Sequence, residues 1–259
     1  MIPEPVQKGL KYLLIGAVIV FIAFFGYLVF LFNEAPSGSG VHHFHYTITL
    51  SHPSTIDNVT ILLPVPLLDG TPVLAESFLN RTVSGAPPGW NLSLEVVNGT
   101  PLLAIRAATM VPEYHGYPIA IEPGESPLPP TRAPGKEYSA DTPVLVPVSL
   151  GTIFPVNRTI DTRNPVGKEP LFSPGGEFRL QEEYTLPYAR GRAFGHTVPV
   201  YVSFSAGSPV ALSITTSIEG TNAVWKGGWV SHSYTDTVSV EVTEPGGWID
   251  ARGILVVEE

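Results

Sequence analysis

Five Asn-x-Ser/Thr triplets are the most repeated chemical signal in this chain of 259 residues. They lie at Asn58 (NVT), Asn80 (NRT), Asn91 (NLS), Asn98 (NGT) and Asn157 (NRT), and they take five of the eight Asn residues. The side-chain amide of such an Asn accepts an N-linked glycan when the segment is exported and accessible. Asn91 falls on the polar side of an alternating segment, and Asn98 opens an Asn-Gly turn. Both positions are accessible ones, so glycans are expected on at least two of the five. The competing account is that these are unmodified turn residues, because the triplets also arise by chance in a Thr-rich chain.

Other reactive groupings are thinner. His42, His43, His45 and His52 cluster early in the chain. His43 and His45, two apart on one strand face, have the geometry to ligate a metal through neutral imidazoles. No third ligand lies near them in sequence, so a solvated strand face is the expectation and no metal is assigned. Glu182 and Glu183 point to opposite faces of a strand, whereas glycoside hydrolysis needs two carboxylates that face each other. The chain has no G-x-S-x-G elbow, no H-E-x-x-H helix, no phosphate-cradling Gly loop and no D-x-D-x-D calcium loop. With no Cys, thiol catalysis, Cys-ligated zinc and iron–sulfur clusters are excluded. No catalytic residue and no cofactor are expected. Trp225, Trp229, Tyr234 and Trp248 crowd the last part of the chain; they read as core and edge packing in a Gly-rich sheet rather than as a sugar platform.

The element that places these groups is Tyr12 to Phe32, YLLIGAVIVFIAFFGYLVFLF. It holds no charge, Pro, Asn, Gln or His. A helix of this length rises about 1.5 Å per residue and spans roughly 30 Å, the thickness of a bilayer's hydrocarbon core. Lys8 and Lys11 precede it, and basic flanks favour the cytoplasmic side, so residues 1–11 are expected inside and the rest outside. The run is longer than the apolar part of a cleaved signal peptide, which favours an uncleaved anchor. Gly16, Ala17, Ala23 and Gly26 do not form a GxxxG spacing, so a lipid-facing helix is preferred to a packed one.

Beyond the run lie 12 Lys+Arg and 22 Asp+Glu, since Glu4, Lys8 and Lys11 precede it. An acidic body of this kind excludes nucleic acid, whose phosphates require a basic face. Gly and Pro, 25 and 27 residues, make up a fifth of the chain. Pro interrupts helices and central strands and Gly serves turns, so short strands with many turns are expected.

Residues 33–40 read as a short stalk by composition. Val41 to Leu50 alternates, with Phe44, Tyr46, Ile48 and Leu50 on one face. Asp57 to Leu63 is a second strand. Trp90 to Ala107 forms a hairpin about Asn98-Gly99, with Trp90, Leu92, Leu94 and Val96 inward. The pattern loosens over about 111–174, where EPGESPLPPTRAPGKE (122–137) reads as a surface loop. Thr142 to Leu150 and Thr152 to Ile160 read as edge strands, because their Pro residues cannot donate to a central ladder. Regular strands return at Glu177 to Leu186, Val198 to Phe204, Val210 to Ile218, Gly228 to Val230, Thr237 to Thr243 and Ile249 to Val257. The expected fold is mainly β: an N-terminal transmembrane helix followed by an extracytoplasmic antiparallel β-sandwich over 41–259. Two sandwich-like halves split at the Pro-rich region are the alternative.

Two passages, NVTILLPVPLLDGTPV (58–73) and VWKGGWVSHSYTDTVSVEV with GGWIDARGILVV (224–257), carry a resemblance. With the N-terminal span they resemble uncharacterised single-span surface proteins of methanogenic archaea. The resemblance implies an archaeal cell-surface setting and N-glycosylation, and no activity. Lys8-Gly9-Leu10 also resembles the processing site of type IV pilin-like subunits, although Lys11 stands where that family has an apolar residue.

The sequence thus predicts a non-enzymatic, membrane-anchored envelope protein with a structural or adhesive role. Its partners would be the lipid bilayer, N-linked glycans, and further copies or other envelope proteins. A pilin-like filament subunit, and an extracytoplasmic ligand-binding or hydrolytic module using the loop 111–174, are the alternatives.

Overall fold

The computed structural model describes residues 16, 18–27, 40–73, 76–118, 138–173, 175–185, 190–225, 228–244 and 246–258. The expected cytoplasmic segment 1–11, most of the stalk and the Pro-rich loop 122–137 lie outside these residues. The chain divides into two compact units, Met1–Val41 with Ala223–Ser231, and His42–Asn222 with His232–Glu259.

In the first unit, Gly16 and residues 18–27 are helical, and every one of these side chains is exposed. Among the described residues no helix is long and apolar enough to cross a membrane; the rest of the expected span 12–32 lies outside them. The unit also holds the tip of a β-hairpin, where the Trp225 and Trp229 rings meet edge-on with centroids 5.7 Å apart.

Strands dominate the chain, at 62%. In order they are β1 (Val41–Ser51), β2 (Ile56–Pro64), β3 (Leu67–Leu68), β4 (Thr71–Pro72), β5 (Asn91–Val97), β6 (Thr100–Met110) and β7 (Glu113–Pro118). Then follow β8 (Tyr138–Val146), β9 (Val148–Pro155), β10 (Arg179–Thr185), β11 (Arg190–Ser205), β12 (Leu212–Trp225), β13 (Trp229–Val242) and β14 (Gly247–Glu258). Ten of them form one antiparallel, curled sheet in the order β5-β6-β2-β11-β14-β13-β12-β1-β9, with β10 also pairing β11. β3–β4 and β7–β8 are separate two-stranded pieces.

The expected mainly-β body is therefore present, but its strands belong to one sheet rather than to two clearly separate ones. Strands from before and after the Pro-rich region are mixed in that sheet. β2 pairs β11, and β1 pairs β9, so the body is not split into halves at that point.

The reason is visible in the core. One buried cluster takes Phe44, Tyr46 and Ile48 from β1, Ile61 and Leu63 from β2, Leu103 and Ile105 from β6, and Val198, Val200 and Val202 from β11. It continues through Leu212 and Ile214 of β12, Val238 of β13 and Leu255 of β14. Each strand offers one apolar face, as its alternation requires, and the sheet curls so that these faces enclose a common interior. Two one-turn helices, Glu76–Leu79 and Arg81–Ser84, pack against the edge strand β9. Phe78 of the first sets its ring 4.7 Å from that of Tyr46.

Several boundaries differ from expectation. The stretch expected as a strand over Thr152 to Ile160 leaves the sheet after Pro155, and its first residues belong to β9. The two stretches 228–230 and 237–243 are parts of one continuous strand, β13. In the 90–107 hairpin, Asn98 and Gly99 take φ of 52° and 82°, the left-handed pair that a tight two-residue turn needs. The expected inward face holds only in part: Trp90 is buried, while Leu94 and Val96 are exposed, because β5 is the end strand and its far half overhangs the core.

Gly220 lies where β12 passes over the rings of Tyr234 and Phe44, and a methyl group there would collide with both. Gly220→Ala is expected to cost about 1–3 kcal/mol by overpacking, seen as a lower urea midpoint. Gly207→Ala, in open space, is expected to leave that midpoint nearly unchanged.

Candidate functional site

The polar groups of the body converge on the loop between β9 and β10, Val156 to Phe178. Its sequence has too many Pro and Gly for a strand, so its backbone groups must find partners elsewhere. Asn222 of β12 supplies one set: its Oδ1 accepts from the Ile160 amide at 2.9 Å and its Nδ2 donates to the Ile160 carbonyl at 2.7 Å. The same Oδ1 lies 2.7 Å from His42 Nδ1, which fixes that nitrogen as a donor. Leu171 bonds Leu67 of β3 in both directions.

Deeper in, Asp236 of β13 sits fully buried. Its Oδ2 accepts the Phe172 amide at 2.9 Å and its Oδ1 lies 2.6 Å from His196 Nε2 on β11. The His196 and Asp236 side chains are 1% and 0% exposed. His196 Nδ1 has no hydrogen-bond partner. The Phe178 ring packs 4.9 Å from the imidazole, and Gly253 leaves it room, since a methyl there would overlap the ring. Tyr234 donates its hydroxyl to the Pro170 carbonyl at 2.8 Å, and burial pushes its phenol well above the usual value. Burial does the same to Tyr46.

A second carboxylate holds the outside of the loop. Glu169, 2% exposed, receives both guanidinium nitrogens of Arg158 at 2.7 and 2.6 Å and the Asp161 amide at 2.7 Å. The hydrogen bonds that Arg158 donates to Glu169 raise the guanidinium pKa. Lys168, bonded to Asp161 at 2.5 Å, holds that carboxyl below its usual range. Stability from this exposed pair is full above the unfolded carboxyl pKa and is lost as pH falls through the lower folded value.

Glu169 also lines a cleft of about 340 Å³ with Leu67, Asp69, Gly70 and Gly167. Its carboxylate is already taken up by a guanidinium and an amide, so it is not poised as an acid or base. The His196–Asp236 pair has the residue types of a catalytic dyad, yet no substrate reaches groups 0–1% exposed. The His196–Asp236 pair ties the loop to β11 and β13 through the Phe172 amide, whereas Arg158, Asp161 and Glu169 brace the loop internally.

The residues singled out in sequence are not gathered here. All five triplet asparagines are exposed. Asn58 has φ 52° beside a register shift between β2 and β11, a conformation that Asn tolerates better than most residues. Asn58 and Asn91 line the same shallow surface depression with Arg106. Asn80 caps the helix Arg81–Ser84, its Oδ1 accepting from the Thr82 amide at 3.1 Å. Among the described residues no group of three His, Asp or Glu has metal-holding geometry. His52 is buried, with Nδ1 2.8 Å from the Ser54 carbonyl. Glu182 and Glu183 sit opposite Ala193 and Arg192 in the β10–β11 pair.

The His196–Asp236 pair was missing from the sequence reading, although a signal for it exists. Val198, Val200 and Val202 face inward, so His196 shares their phase; Asp236 shares the phase of Val238. Two polar residues in inward register must be partnered, because an unpaired one is costly to bury. No family model matches this chain, and neither a curated protein nor a solved structure does so at a significant level.

Arg158→Ala leaves the Glu169 carboxylate buried with one amide donor. The expected cost is about 2 kcal/mol, below the roughly 3–5 kcal/mol of a fully enclosed pair because Arg158 itself is half exposed. A lowered denaturant midpoint would report it. Arg158→Met/Glu169→Leu is expected to regain part of the loss.

Proposed function

We propose that this chain is a single-pass membrane protein of the cell surface, N-terminus inside, whose acidic β body stands outside and serves a structural or adhesive rather than catalytic role. The observation that carries the reading is the uncharged run 12–32. Its described part is helical with apolar side chains exposed all round, a distribution suited to lipid rather than to water. Ten more acidic than basic residues follow it, and five exposed Asn-x-Ser/Thr sites are available for glycans.

The placement of one of these sites fits the reading. Asn58 lies beside Ser205, the last residue of β11, with Nδ2 3.4 Å from the Ser205 hydroxyl. The start of β11 lies at the other end of the sheet, where Gly191 pairs Glu258 and, one strand on, Tyr234 of β13 pairs Val257. β1 begins at that same end, because His42 is hydrogen-bonded to Asn222, near the end of β12. Asn58 is thus exposed at the end of the sheet opposite the start of β1, open to a bulky sugar.

Two measurements test the proposal in cells that make the protein natively. Carbonate washing is expected to leave the full-length chain in the membrane fraction, and intact mass is expected to drop after deglycosylation, with Asn58→Gln and Asn91→Gln each removing one increment. Release by carbonate overturns the anchor. A mass equal to that of the bare chain overturns glycosylation. An N-terminus beginning at Leu10 would instead favour a processed, pilin-like subunit.

A further inference from the structure

Two tryptophans at the tip of the β12–β13 hairpin present apolar surface to solvent. Trp229 is 62% exposed and Trp225 43%, and they contact one another edge-on. Val230 beside them is exposed as well. Large apolar side chains grouped at an exposed tip mark a surface meant to be covered. The segment Ala223–Ser231, AVWKGGWVS, has one Lys and no Asp or Glu, in a body whose charge is otherwise strongly acidic.

The place of this tip in the chain says what covers it. Ala223–Ser231 belongs to the same compact unit as Met1–Val41, which contains the apolar run. His42 and Asn222, the residues that adjoin these two segments, are hydrogen-bonded at 2.7 Å. The hairpin tip and the chain arriving from residue 32 therefore leave the sheet at neighbouring points. Covalent geometry limits the stretch from Phe32 to Val41 to roughly 30 Å. From Asn222 the hairpin leg adds three strand residues, roughly 10 Å, before its indole rings.

We infer that the Trp225–Trp229 tip is a second membrane contact, seated in the headgroup layer of the outer leaflet. Indole rings suit that layer, with an apolar body toward the acyl chains and an N–H toward water and phosphate. A one-helix anchor lets its body swivel and lift; a shallow second contact would limit both. This inference rests on the anchored reading proposed above.

The test uses the full-length chain reconstituted in phosphatidylcholine vesicles, with and without bromine on the acyl chains. Bromine quenches nearby indole fluorescence. Quenching is expected for the native chain, stronger for bromines close to the headgroup than for those near the chain end. It is expected to be lost in Trp225→Phe/Trp229→Phe, which keeps the buried Trp90 and the exposed Trp248 as internal controls. Equal quenching of both proteins, or none in either, while the chain resists carbonate release overturns the tip contact alone. Release of the native chain from the vesicles by carbonate overturns the anchor and the tip together.

Discussion

Every strand of the large sheet has one face that water disfavours, and the sheet must hide all of those faces at once. A flat sheet would need a second layer to do so, and the long helices that usually supply one are not found among the described residues of the body. The sheet therefore curls, and Phe44, Ile61, Leu103, Val200, Leu212 and Leu255, from six different strands, share a single interior. At about 25 cal/mol per Å² of apolar area removed from water, the interior is the main stabilising term. The one-turn helices and the loop 156–178 then close what the strands leave open.

Closing that interior with a loop has a cost of its own. A Pro- and Gly-rich segment cannot satisfy its amides in a ladder, and any amide carried into the core needs an acceptor. Asp236 answers the Phe172 amide, Pro170 offers its carbonyl to Tyr234, Asn222 holds both backbone groups of Ile160, and Glu169 holds the Asp161 amide. The buried carboxylates are bonded in turn, Asp236 to the His196 ring and Glu169 to the Arg158 guanidinium. These groups lie close together because they solve one packing problem, which also explains why they resemble an active site without being open to one.

The strands were legible where alternation is clean. Val41 to Leu50, Asp57 to Leu63 and the Asn98-Gly99 hairpin follow from period and turn chemistry alone. The pairing order was not, since β2 beside β11 and β1 beside β9 join residues far apart in sequence, and no local pattern encodes such partners. The loop clasp was also hidden. Glu169 and Arg158 look like ordinary surface charges in a polar stretch, and only the fold shows that one of them is buried. His196 and Asp236 did leave a trace in the strand phase, two residues before the apolar runs that drew attention. The exposed asparagines were legible because accessibility in turns and on polar strand faces is a local property.

The end strand β5 has a consequence for how copies of this protein meet. Among the described residues it pairs with β6 alone, and its other rim, beside the exposed Leu94 and Val96, is the kind of border onto which another chain can add a strand. Asn91 and Asn98 stand at the two extremities of that border. Sugars at both would act as bollards, too bulky to let a neighbour lie alongside. On that view carbohydrate here would do more than dissolve the surface: it would keep that border from pairing with a second chain.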